Sequence, residues 1–157
     1  MPKLDLTTVP LKTGSIYPAP FAAMMAGRSS LRLGQAGGLT QFGVNLVILE
    51  PGATSSLRHW HLKEDEFVMV TEGTCTLIED DGASEMTPGD CAAFPANTPD
   101  GHCLENRTGK VAKFLVIGSR MPDEEATYSD VDLHLRMTDS GPDWSHKDGT
   151  PLSGDMK

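Results

Sequence analysis

Between Leu39 and Ser119 the apolar residues recur at every second position over short stretches, and turn-forming residues separate the stretches. Phe42, Val44, Leu46 and Ile48 alternate with Gly43 and Asn45, the period of two that belongs to a β-strand. Arg58 to His61, Glu66 to Thr71 and Thr74 to Glu79 read as further short strands. Asp81-Gly82 lies between two such runs and predicts a tight hairpin turn. Pro88-Gly89-Asp90 predicts another turn, followed by a short buried strand from Cys91 to Phe94. His102 to Asn106 and Val111 to Ser119 close the series, the last with Phe114 and Val116 on one face and Leu115 and Ile117 on the other. Short strands at this spacing, with Gly, Pro and Asp between them, predict an all-β sandwich or small barrel.

The flanks lack this pattern. Residues 1–38 carry Pro2, Pro10, Pro18 and Pro20 and a glycine cluster at Gly34, Gly37 and Gly38, and predict an irregular N-terminal extension. Phe21-AAMMA after Pro20 fits one or two helical turns, but no pair of amphipathic helices follows, so a helix-turn-helix is not expected. A segment of this length without its own core is expected to wrap the barrel or a neighbouring subunit. Residues 39–120 are expected to form the barrel. Residues 121–157 turn polar again and predict a C-terminal extension packed on the barrel, with a strand or short helix near Tyr128 and a tail ordered around Trp144.

Chemistry concentrates in His59-Trp60-His61, Glu66 and His102. Alternate residues of a strand share a face, so His59 and His61 can reach one point. Imidazoles and a carboxylate that converge make the ligand set of a divalent transition metal. The surrounding residues read Gly52-ATSSLR-His59-W-His61-LKED-Glu66-FVMVTE-Gly73 and Gly89-DCAAF-Pro95-A-Asn97-TPDG-His102-CLE-Asn106. These stretches resemble the two sequence motifs of the cupin superfamily. Six residues rather than five separate Gly52 from His59, and four separate Asn97 from His102, slightly more than is common. Asn97 stands where the family usually has Gly, and Asn also accepts the left-handed conformation such a turn needs.

The resemblance implies a cupin double-stranded β-helix, a jelly-roll barrel, flanked by irregular extensions. It implies one divalent transition metal (Fe²⁺, Mn²⁺, Zn²⁺, Ni²⁺ or Co²⁺) on His59, His61, Glu66 and His102. Three activities are compatible with it: oxygen-dependent chemistry of the dioxygenase kind, metal-assisted isomerisation, epimerisation or lyase chemistry, and small-molecule binding without turnover. Cupin lyases acting on dimethylsulfoniopropionate carry a tyrosine directly after the ligand Glu, whereas this chain has Phe67 there. A metal-dependent isomerase or epimerase of a sugar derivative, or a dioxygenase, is the first expectation. A non-catalytic binding module is the alternative, and a ligand-sensing regulator stands behind both.

No catalytic acid or base is assigned. Tyr17 and Tyr128 lie outside the motifs, and Glu64, Asp65 and Asp100 read as loop carboxylates at the barrel mouth. His134 and His146 read as surface residues. Parity puts Arg58 and Trp60 outward, with Phe67 and Met69, and so apolar an outer face predicts a homodimer.

Charge narrows the partners. Lys+Arg 13 against Asp+Glu 22 gives a net charge of −9, which argues against a nucleic-acid surface. No apolar run approaches a membrane span, and MPKLDLTTVP has no signal-peptide core. Cys75, Cys91 and Cys103 have no metal or redox spacing and fit reduced thiols in the cytoplasm.

Overall fold

The computed structural model describes residues 3–152. Their thirteen strands are β1 Leu11–Thr13, β2 Arg28–Leu31, β3 Phe42–Leu49, β4 His59–His61, β5 Glu66–Glu72, β6 Cys75–Glu79 and β7 Gly82–Met86, then β8 Cys91–Phe94, β9 Cys103–Glu105, β10 Ala112–Ser119, β11 Glu125–Tyr128, β12 His134–Thr138 and β13 Gly141–Ser145. They form a six-stranded sheet in the order β1-β2-β3-β10-β5-β8, a four-stranded sheet β13-β12-β11-β4 and a three-stranded sheet β7-β6-β9, with every pairing antiparallel. Isolated bridges His59↔His102 and Thr54↔Glu105 link the two smaller sheets. This is the jelly-roll barrel that the strand pattern and motifs predict.

The strand period shows why the barrel closes. In β3 the inward residues are Asn45, Val47 and Leu49, and opposite them in register Val116, Phe114 and Ala112 of β10 point the same way. Val68 and Val70 of β5 extend this inner face, and Cys75, Leu77, Met86 and Leu104 of the three-stranded sheet cover it from above. Fully burying an apolar side chain of this size contributes about 1.5–3 kcal/mol. A second cluster lies under the four-stranded sheet: Met25, Leu57, Ala126, Tyr128, Leu133, Leu135 and Leu152.

The turns follow the residue types. Gly73 has φ 71°, and a Cβ there would sit 2.5 Å from the Val111 carbonyl oxygen, so only glycine fits between β5 and β6. Asn97 takes φ 58° in the position where left-handed backbone was expected, and its N–H donates to the His61 carbonyl at 2.8 Å. The buried Asn106 side chain donates to the carbonyls of Leu49 and Lys110, which ties the loop before β10 to the end of β3.

The structure differs from the sequence expectations at three places. The flanks are not irregular throughout: β1 and β2 extend the six-stranded sheet, and β11, β12 and β13 supply most of the four-stranded one. These short segments become strands because distant partners satisfy their backbone, which no local pattern announces. The β8 strand is only partly buried, with Cys91 and Ala93 exposed, because it forms the sheet's edge and pairs with β5 alone. The supposed single outer face is divided between two sheets. Phe67 and Met69 lie on the six-stranded sheet, whereas Trp60 belongs to β4 and Arg58 is engaged by Asp130 and Asp80 at 2.9 and 2.8 Å. Phe21–Met25 does form a short 3₁₀ helix after Pro20.

Candidate metal centre

Strand β4 presents His59 and His61 on one face, and their Nε2 atoms approach to 3.2 Å. Glu66 opens β5 opposite them. Its Oε2 is 3.6 Å from His61 Nε2, and its Oε1 is 3.4 Å from His102 Nε2. Backbone bonds between His59 and His102, at 3.2 and 3.0 Å, hold the later histidine beside the pair. The His102 ring is buried and stacks on Phe94 with 3.5 Å between centroids. Ligand atoms of His59, His61 and Glu66 all lie within 4.8 Å of one another.

The surroundings decide which nitrogens carry protons. His59 Nδ1 lies 2.9 Å from the Leu57 carbonyl, a pure acceptor, so Nδ1 holds the hydrogen and Nε2 turns a lone pair toward the cluster. His61 Nδ1 faces Glu124 Oε1 at 3.4 Å. That contact lacks good hydrogen-bond alignment, since Nδ1 is otherwise without a partner, but the carboxylate still favours a proton on that nitrogen. Glu124 is itself buried and fixed, accepting from the Leu62 and Lys63 N–H groups at 2.9 Å each.

Two lone pairs facing each other at 3.2 Å repel unless a cation or proton lies between them. Burial pushes His59 down to about 4, with the neighbouring His61 charge acting the same way, so His59 does not supply that proton at neutral pH. Burial also opposes ionisation of Glu66, but the imidazoles of His102 and His61 more than reverse this and hold its carboxyl well below the usual range. Burial lowers His61 in turn, while the Glu66, Glu124 and Glu64 carboxylates outweigh it and raise the ring. An ionised carboxylate among converging nitrogen lone pairs suits a divalent transition metal, and His59, His61 and Glu66 can hold one.

The cluster opens onto a cavity of about 560 Å³. Among its lining residues are Tyr17 and Tyr128, which sequence reasoning left outside the site. Tyr128 stacks on His59 with 5.6 Å between centroids, and Tyr17 meets Tyr128 edge-on at 5.5 Å. Burial raises both phenols, so both remain protonated at neutral pH. Tyr17 Oη accepts from the Leu57 N–H at 3.3 Å, which leaves its own hydrogen free to donate. No signal in the local sequence marks Tyr17, Tyr128 or Glu124, because long-range packing brings them to the motifs.

The remaining candidates have structural tasks. Glu64 accepts from the Met121 N–H, Asp65 from Ala96 and Asp100 from Asp80, so each secures a loop. His134 pairs with Glu125 and His146 with Asp132, away from the cluster.

Comparison with known proteins agrees with the geometry. The sequence profile of the cupin domain matches residues 45–118. A crystal structure of a sugar phosphate isomerase from a cupin superfamily, from Silicibacter pomeroyi DSS-3, is 58% identical, covers 99% of each chain and superposes with a TM-score of 0.96. The chain belongs to the cupin superfamily. A protein from Acidithiobacillus ferrooxidans, provisionally named a sugar phosphate isomerase, is 28% identical over 80% of each chain with a TM-score of 0.73. The polyketide cyclase RemF of Streptomyces resistomycificus, at 20% identity over 76% of this chain and 79% of its own, with a TM-score of 0.63, shares the fold. No curated protein matches. Among the described residues no helix is long and apolar enough to cross a membrane.

Proposed function

We propose that the protein is a metal-dependent isomerase of a small sugar derivative, with one divalent metal on His59, His61, Glu66 and His102. The observation that carries this reading is the 58% identity, over 99% of both chains, to the protein named a sugar phosphate isomerase. The cavity supports it, because the cluster and two protonated phenols face the same space. A metal bound there would act as a Lewis acid on a carbonyl or hydroxyl oxygen. The chain supplies the rest. Tyr17 Oη donates its hydrogen to a substrate oxygen, Tyr128 backs it, and Val47, Phe114 and Val116 give apolar walls that limit water.

The protein is further proposed to be a cytoplasmic homodimer. Its three cysteines are free, as a reducing compartment requires. The outer face of the six-stranded sheet carries Val44, Leu46, Leu115, Ile117, Phe67 and Met69 in cross-strand register, an apolar face suited to a second copy.

The tests are direct. Protein purified without chelator is expected to hold about one metal per chain, with most of it lost in His61→Ala and in His102→Ala, since each change removes a quarter of the proposed ligand set. Unchanged metal in both variants would place the site elsewhere. The metal-loaded protein in D₂O should convert an aldose or ketose of the right size and exchange the hydrogen next to its carbonyl, without consuming oxygen. Thermal stabilisation by sugars with no product, across phosphorylated and free forms, would make it a binding module instead.

A further inference from the structure

Arg28 is the strangest cation in this molecule. It sits on β2 facing the cavity, next to the buried Ser30 on the same face, and its Nε is buried with no hydrogen-bond partner. Burial disfavours its charged form, and the nearby Arg32 adds to this. Arg32 and Lys12 line the same cavity. Among the described residues none of the three has a carboxylate within ion-pair distance. Glu66 is the carboxylate whose charge reaches Arg28, and it belongs to the metal cluster.

That arrangement is unexpected in a chain with 22 acidic and 13 basic residues. Carboxylates are plentiful, yet among the described residues none forms an ion pair with this group. A partly buried guanidinium without an anion is unfavourable, so an unpaired one facing a cavity marks the place of an anion that comes with a ligand. Structural arginines have partners, as Arg58 shows with Asp130 and Asp80.

We infer that Arg28, Arg32 and Lys12 form an anion subsite in the metal-cluster cavity, and that it holds the phosphate of a phosphomonoester substrate. The inference rests on the isomerase reading and gives its substrate class. A guanidinium presents paired N–H donors that match phosphate oxygens, and a second guanidinium and an ammonium supply the charge for a dianion. The local positive field also draws a dianion toward a protein whose net charge of −9 would otherwise repel it. In this arrangement the sugar lies with its phosphate at the Arg28 end and its reacting oxygens toward His59, His61 and Glu66. Lys12, Thr13 and Ser15 belong to the N-terminal segment, so that segment contributes part of the phosphate end.

The test is calorimetric titration of the metal-loaded protein with D-ribose 5-phosphate, D-ribose and inorganic phosphate. The phosphorylated sugar should bind far more tightly than the free sugar, and inorganic phosphate should compete with it. Arg28→Met should weaken the phosphorylated sugar more than about tenfold and Arg32→Met about three- to tenfold, with D-ribose unchanged in both. Should Arg28→Met fail to fold by circular dichroism, Arg28→Lys and Arg32→Met carry the test, the lysine keeping the charge but losing the fork. An unaltered preference for the phosphorylated sugar in these variants overturns the inference. So does phosphate binding that His61→Ala abolishes and the arginine changes leave intact, since the anion would then sit on the metal. Failure of the isomerase reading looks different: phosphate binds through Arg28 and Arg32 but no sugar phosphate is converted.

Discussion

Glu66 and the histidine pair belong to the same cluster but are held in very different ways. Glu66 begins β5, which pairs with β10 on one side and β8 on the other and carries the fully buried Val68 and Val70. His59 and His61 occupy a three-residue strand whose ladder partner is β11, in the register Tyr128↔His59 and Ala126↔His61. β11 depends in turn on β12 and β13 and on the second apolar cluster. The barrel core therefore fixes the carboxylate, whereas residues after Met121 supply the ladder that holds the His59–His61 pair. The C-terminal segment, which reads as a polar extension, is part of the site's scaffold.

The largest effects should come from the two cores, and they should differ in kind. Phe114→Ala removes the largest fully buried side chain of the first cluster and should cost about 3–5 kcal/mol. For a chain of this size, its melting temperature should fall by roughly 6–20 °C, read by calorimetry. Metal retention below that temperature should stay near wild type, because Phe114 stands opposite Val70, four residues along β5 from Glu66, and β4 and β11 are untouched. Leu133→Ala acts in the second cluster, where Leu133 is fully buried and its carbonyl closes the turn back to the Tyr128 N–H. Its stability cost should be smaller, about 2–4 kcal/mol, but metal should be lost well below the melting point. Equal metal loss in both variants would show that one cooperative core supports the whole cluster.

This comparison also explains what the sequence revealed. His59, His61, Glu66 and His102 stand out because strand period and turn residues set their spacing within two short stretches, so their proximity is written locally. The barrel strands are visible for the same reason. Tyr17, Tyr128 and Arg28 reach the cavity, and Glu124 reaches His61, only through packing across long stretches of chain, which their own sequence neighbourhoods do not announce. β11 has the alternation of a strand, with Ala126 and Tyr128 buried, but four residues are too few to separate that from chance.

Glu124→Gln tests the histidine side more finely. The amide keeps the side chain's size but accepts from only one of the Leu62 and Lys63 N–H groups, and it removes the charge facing His61 Nδ1. Metal affinity should fall about 10–100-fold, the usual loss when the group orienting a ligand histidine is changed. Competition with a chelator measures it. Glu64→Gln is the comparison: Glu64 secures Met121 and acts on His61 only as the smallest of three carboxylate charges, so its loss of affinity should be the smaller one.

The smallest expected effect uses the cysteines as reporters of the two supports. Cys75 lies in the first cluster and Cys103 directly after His102, both buried, whereas Cys91 is exposed on edge strand β8. Burial pushes the Cys75 and Cys103 thiols up to about 11 from the ordinary 9.0, so at pH 8 each holds about a hundredfold less thiolate than a free thiol. Alkylation followed by mass spectrometry should therefore modify Cys91 first. The proposed dimer adds a concentration dependence, since Cys91 is paired in register with Met69 on the outer face and should become slower to label as protein concentration rises. Stripping the metal should then speed Cys103 severalfold while leaving Cys75 unchanged, because loosening the cluster frees His102 and its strand without opening the first core. If both buried thiols accelerate together, the site and the barrel core open as one unit, and the division between the two supports is lost.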